Sequence, residues 1–288
     1  MPNEGLVQFG GFPGSFLLSG DLFDADDRRT LDRTDPAQRA GREKAHSRKT
    51  EDGTMTKTEV MALLKDNRNE RGVENWKKKG ADSGLESLGI GLTQLRKIAK
   101  QVGRDHKLAQ QLWKSDVYDA KIVGLLIDDP KQLTREQVEQ QVEDLSGGYL
   151  AHVFSSCDST LPKAPFAFEL AREWMDSKDG VRRRCAWGVI NERSKLAGKK
   201  APDDDFFMNC IERIQNTIHD DEDMWVRESM NGALMGIGRR SKKLNRAAVR
   251  AAKAIGPVDI DYGDDNSCEP LDVLKHLTSD YLRKKLGM

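Results

Sequence analysis

From Thr56 to the C-terminus, apolar residues return at three- and four-residue intervals and almost never alternate. Leu92, Leu95, Ile98, Ala99 and Val102 form one such stripe; Val117, Ala120, Val123 and Ile127 form the next. Phe207, Cys210, Ile211, Ile214 and Ile218 make a third, and Val226, Met230, Ala233, Leu234 and Ile237 a fourth. A helix has about 3.6 residues per turn, so this spacing lays apolar side chains along one face that needs a neighbour to cover it. Start signals agree: Thr134 followed by Gln137 reads as a capping box, and Asp203, Asp204 and Asp205 put carboxylates at a helix N-terminus. Pro130, Pro162, Pro165 and Gly180 punctuate the helices. The one strand-like alternation, Val258, Ile260 and Tyr262, is too short and solitary to build a sheet. The fold class expected is all-α.

Three stretches look like variants of one unit: residues 112–122, 173–185 and 218–229. Each runs from a helix end through a Ser/Asp-rich turn into a helix that opens on charged residues and continues with small apolar ones. Helix pairs recurring at irregular spacings of about 40 to 60 residues predict an α-solenoid of HEAT-like, armadillo-type repeats. Such a stack offers a long concave face suited to an extended ligand.

Residues 1–54 read differently. After a Gly- and Phe-containing opening they are dense in both charge signs and poor in apolar residues, so they bury too little to offset their ordering entropy. The expected organisation is a disordered charged extension over 1–54, with translation starting at Met55 as one hypothesis, and a HEAT-like-repeat domain over 55–288. No apolar run reaches the roughly 18 residues a membrane helix needs. The first 20 residues lack a basic leader and a clear cleavage site. Cys157, Cys185, Cys210 and Cys268 form no C-x-x-C pair and suit buried thiols rather than a disulfide framework or zinc site. The expectation is a soluble, cytoplasmic protein (nucleoid-associated if bacterial) with no cofactor, no metal and no membrane partner.

Catalytic motifs are scarce. Gly236-Ile-Gly238-Arg-Arg has no preceding strand and no Gly-Lys-Ser/Thr, so it reads as the end of a helix rather than a phosphate loop. The five histidines show no metal-ligand spacing, and no Ser/His/Asp set can be nominated from spacing alone. Basic runs carry more. The 47 Lys and Arg are balanced by 47 Asp and Glu, which excludes a supercharged nucleic-acid binder but not a local basic face. Residues 77–79, 182–184, 239–243 with Arg246 and Arg250, and 283–285 are clusters of Lys and Arg. They read either as solvated helix faces or, on a solenoid, as one concave face that neutralises successive phosphates.

Four pieces in order resemble the DNA alkylation repair family, HEAT-like-repeat proteins whose active members are alkylpurine DNA glycosylases. They are 105–113 (DHKLAQQLW) with 119–122 (DAKI), 183–187 (RRCAW), 231–239 (NGALMGIGR) and 255–270 (IGPVDIDYGDDNSCEP). The resemblance covers the chain from about Met55 onward. It implies a cleft that holds damaged duplex DNA by its backbone, with aromatic residues and a carboxylate facing the lesion's deoxyribose. An alkylated purine is already a good leaving group, so such a site mainly stabilises the developing oxocarbenium by charge and by aromatic faces.

The chain departs from the family at those positions. The family's first Trp aligns with Gly148, its carboxylate with His152, and a second Trp with Gly232, whereas the DNA-contacting Arg survives as Arg184. The resemblance therefore implies DNA binding through Arg184 and Arg183, with Arg239, Arg240, Lys242 and Lys243 as further cations. Glycosylase chemistry would fall to stand-ins, Tyr149, Asp144 and His152 as the catalytic candidates, with Asp158 nearby in sequence. Trp113 and Trp187 are expected to pack in the core rather than stack on bases. The alternative is a protein-binding helical-repeat scaffold with no DNA chemistry.

Overall fold

A computed structural model of the chain describes residues 55–79, 83–145, 149–198, 201–221, 223–261 and 269–288. The expected extension over 1–54 lies outside the described residues. Fourteen α-helices follow one another among those residues. The first half holds α1 (Lys57–Asp66), α2 (Glu70–Lys79), α3 (Leu92–Val102), α4 (His106–Trp113), α5 (Tyr118–Ile127), α6 (Arg135–Val142) and α7 (Leu150–Ser155). The second holds α8 (Ala167–Trp174), α9 (Gly180–Ser194), α10 (Asp204–Thr217), α11 (Met224–Gly238), α12 (Lys242–Ile255), α13 (Val273–Leu277) and α14 (Asp280–Leu286). The all-α solenoid is what the chain adopts.

The helix starts follow from their caps. Thr134 accepts from the Gln137 amide at 3.2 Å and Asp203 from the Phe206 amide at 2.7 Å, each satisfying a donor the first turn leaves open. Asp179 and Asp223 do the same at the starts of α9 and α11. The three repeat-like stretches are the turns α4–α5, α8–α9 and α10–α11. The second helices of successive pairs stack in sequence, α5 on α7, α7 on α9, α9 on α11 and α11 on α13, and form an inner layer. Their partners α4, α8, α10 and α12 pack outside them.

Ion pairs tie neighbouring repeats at almost constant sequence separation. Arg183 grips Asp221, 38 residues on, through Nε and Nη2 at 2.9 Å each, and Arg213 reaches Asp176, 37 residues back, at 2.8 Å. Arg135 pairs with Glu173, and Arg182 with Glu139, Glu143 and Asp179. Trp113 and Trp187 are buried in the core, as are the free thiols of Cys157, Cys185 and Cys210.

Two expectations need correction. Gly236-Ile-Gly238 does end a helix, α11 closing at Gly238, but neither glycine supplies the left-handed cap that its position suggests: both are helical, and the cap is Arg239 in the right-handed region. They are small because partners press on them. A Cβ on Gly236 would lie 2.2 Å from Asn191 Oδ1, and one on Gly238 2.7 Å from Leu277 Cδ1. The second correction concerns α5, which is not single-faced: it is buried on nearly every side, including Asp119 and Lys121. Of the strand-like alternation, Val258 and Ile260 are buried in irregular chain, and Tyr262 lies outside the described residues.

Candidate nucleic-acid interface

A cleft of about 930 Å³ opens along the inner layer. Tyr118 and Ile122 of α5, Tyr149, His152 and Val153 at α7, Asn191 and Glu192 at the end of α9, and Met235 and Gly236 of α11 form its floor. Residues 87–91 and the start of α3 form one wall; Arg239, Arg240, Ser241 and Lys285 form the opposite lip.

The walls are fixed from behind. Asp119, fully buried, accepts from the amides of Leu88 at 2.7 Å and Ile90 at 3.0 Å and from the Ser87 hydroxyl at 3.0 Å, holding the 87–91 segment in place. Burial pushes its carboxyl above the usual range, and those three donors pull the other way. Trp76 donates from Nε1 to Leu85 O at 2.9 Å and packs on Tyr118, ring centroids 4.5 Å apart. The Tyr149 amide donates to the Tyr118 hydroxyl at 3.0 Å. After α7, Cys157 and Asp158 both take positive φ, 59° and 63°, a costly conformation for residues with a side chain. Two groups clamp that turn: Arg96 donates to Cys157 O at 3.2 Å, and Glu192 Oε1 accepts from the Cys157 amide at 3.1 Å.

The lining is electropositive although the chain is neutral. Arg96, Lys195, Arg239, Arg240 and Lys285 face two carboxylates, Glu192 and Asp204. Both carboxylates are engaged, Glu192 with Lys195 Nζ at 2.8 Å and Asp204 with Arg240 at 3.8 Å. Arg240 also donates to Ser194 O at 3.1 Å and to Leu196 O, and lies over the Phe207 ring at 5.0 Å. Arg239 and Lys285 make no ion pair among the described residues.

The sequence candidates divide. Tyr149 and His152 line the cleft, and burial pushes His152 down to about 4, so its imidazole is neutral at pH 7. Asp144 is exposed in the turn after α6 and does not line the cleft; Asp158 is likewise exposed. Gly148 lies outside the described residues. Gly232 is buried in α11, with no atom within 4 Å of where its Cβ would be. Arg184 is half-buried and does not line the cleft; its guanidinium lies over Trp225 at 4.9 Å, and its charge acts on His152. Arg183 is held by Asp221 and by the carbonyls of Ser177 and Lys178. Arg240 lines the cleft with Arg239, whereas Lys242 and Lys243 are exposed at the start of α12, Lys243 3.6 Å from Asp205.

Sequence reasoning missed Arg96, Glu192, Lys195, Trp225 and Lys285 as site residues. Asn191, Glu192 and Lys195 share the end of α9 at helical spacing, a signal that was available. Arg96 and Lys285 come together only through the fold. Among the described residues no group of three His, Cys, Asp or Glu side chains is placed to hold a metal ion. No helix there is long and apolar enough to cross a membrane.

This arrangement, a stack of helical pairs around a cleft, is that of the HEAT-like-repeat proteins. The sequence profile described as DNA alkylation repair enzyme matches residues 60–261, and the chain belongs to that family. It is 25% identical over 223 residues to Lin0241 of Listeria innocua, covering 76% of this chain and 93% of that protein, itself uncharacterised. It is 24% identical over 222 residues to Lmo0209 of Listeria monocytogenes, with the same coverage and likewise uncharacterised. Among solved structures it superposes with TM-score 0.68 and 22% identity on a protein described as one of a new family related to the HEAT-like repeat DNA glycosylases, with affinity for branched DNA structures. That match covers 81% of this chain and 97% of the other and fixes the HEAT-like-repeat fold.

Proposed function

We propose that this protein binds DNA by its backbone in the basic cleft and does not cleave the glycosidic bond. The observation that carries the reading is the charge of the lining: five cations against two internally engaged carboxylates in a chain with no net charge. A duplex bound there releases counterions, so affinity falls steeply with salt. Phosphate contacts position a nucleic acid without reading its sequence, which suits a site rich in Arg and Lys. Arg239, Arg240 and Lys285 are the contacts on the lip, with Arg184, whose charge acts on His152, at the cleft's margin.

The chemical half of the reading rests on charge. An oxocarbenium needs a nearby negative charge, and the family's carboxylate position is His152, held neutral by burial. Glu192 is the carboxylate on the cleft floor, but Lys195 neutralises it. Of the three catalytic candidates, only Tyr149 and His152 face the cleft, and neither supplies an anion. The neighbour with affinity for branched DNA makes DNA structure, rather than an alkylated base, a natural target.

The test is a fluorescence-anisotropy titration of labelled duplex against the wild type and an Arg184→Ala, Arg239→Ala, Lys285→Ala variant across a salt series. The reading expects the triple variant to flatten the slope of log affinity against log salt by about 3, near 0.9 per lost phosphate contact. An unchanged slope, or capture of a protein partner with no DNA affinity, would reject it.

A further inference from the structure

Outside the cleft, α12 carries a second electropositive surface. At about 100° per residue, Lys242, Lys253, Arg246, Arg250 and Lys243 fall within one arc of about 100°. All five are exposed. The stripe runs about 16 Å along the axis, at 1.5 Å per residue. Only Lys243 makes an ion pair, with Asp205; the other four make none among the described residues. α12 contains no carboxylate, and α14, which ends against it, adds Arg283, Lys284 and Lys285 with Asp280 as its one acid. Lys242 Nζ would lie 3.6 Å from a Cβ on Gly287, which places the end of α14 beside the start of the stripe.

The opposite face of α12, Leu244, Ala247, Ala248, Ala251 and Ala252, is buried on α10, α11 and α13. The stripe therefore looks away from the inner layer, so one straight duplex lying in the cleft does not also follow it. The two surfaces join at the lip, where Arg239, Arg240 and Lys285 line the cleft directly beside α12. With its apolar face consumed by packing, α12 cannot insert into a lipid surface, and its charge is complementary to a polyanion laid along it.

We propose that the exposed face of α12 binds the backbone of a second duplex arm, so that this protein engages a branched DNA with one arm in the cleft and another along Lys242, Arg246, Arg250 and Lys253. The inference rests on the DNA-binding reading of the cleft. It is tested by titrating a linear duplex and a four-way junction of matched length and composition against the wild type and an Arg246→Gln, Arg250→Gln, Lys253→Gln variant. Gln keeps helix propensity at three exposed positions, so the fold survives the change. The wild type binds the junction on the order of tenfold tighter, with a salt slope steeper by about 3. The variant loses both differences and keeps its duplex affinity. Equal affinity of the wild type for both DNAs, or a junction preference that survives in the variant, overturns the second-arm proposal and leaves cleft binding standing. Absence of binding to either DNA overturns both.

Discussion

Three consecutive arginines, Arg182, Arg183 and Arg184, meet three different fates because each residue turns the helix by about 100°. Arg182 reaches back to acids of α6, Arg183 reaches forward to Asp221, and Arg184 lies on Trp225 next to His152. Substituting Arg183 by Gln leaves the half-buried Asp221 carboxylate with the Asp223 amide but without its cation and costs about 1–3 kcal/mol of stability, read from urea unfolding, while the salt slope of DNA binding stays put. Arg184→Gln does the reverse: stability holds within about 1 kcal/mol and the salt slope falls by about 1. Sequence alone presented these residues as one basic run. The partners that distinguish them, Glu139 and Glu143, Asp221 and Trp225, lie 38 or more residues away, so nothing local separates them. His152 carries a second prediction. Its folded pKa of about 4 lies below the ordinary 6.5, so the unfolded chain binds more protons between those values, and stability is lost as pH falls through that window. His152→Gln removes that component. Between pH 7 and 4.5 the variant loses about 2–3 kcal/mol less than the wild type in urea unfolding; identical losses would show that His152 is not held neutral.

At the scale of helices, contacts between inner-layer neighbours set the tightest constraints. A Cβ on Gly188 of α9 would stand 2.2 Å from Ser155 Oγ and 2.8 Å from its Cβ, so Gly188→Ala forces α7 and α9 apart. The expected cost is about 1–3 kcal/mol, visible as a lowered Tm, despite alanine's better helix propensity. Asp119→Asn sets an amide N–H₂ against one of three donors, loosening the 87–91 wall by about 1–3 kcal/mol. Faster hydrogen exchange at the Leu88 and Ile90 amides, with α12 unaffected, is the readout. The helices themselves were readable in the sequence, because the stripes of α3 and α10 are single-faced and Thr or Asp caps α6, α9, α10 and α11. The stripe assigned to α5 was incomplete for a physical reason: an inner-layer helix is covered on all sides, so its polar residues are buried too and periodicity understates its burial. The glycines at 236 and 238 misled for a related reason, since a glycine required by a neighbour's approach looks the same as one required by a turn.

Over the whole molecule, ion pairs near 38 residues apart keep the repeats in register and leave unpaired cations on two surfaces, the cleft and α12. The cleft was visible in outline, since Arg239 and His152, which line it, sat in recognisable segments. The rest of its lining was not, because Arg96, Glu192 and Lys285 come from the beginning, middle and end of the fold. We propose that this cleft binds the DNA backbone and lacks the charge needed to break a glycosidic bond. The measurement that bears on it is a single-turnover assay, with protein in excess over N-methylpurine-containing duplex and binding confirmed in the same tubes, following free base released above the spontaneous rate. The expected result is bound DNA and release no faster than in protein-free controls. Release of 7-methylguanine or 3-methyladenine well above that rate would contradict it, and loss of that release in Glu192→Gln would name the carboxylate responsible.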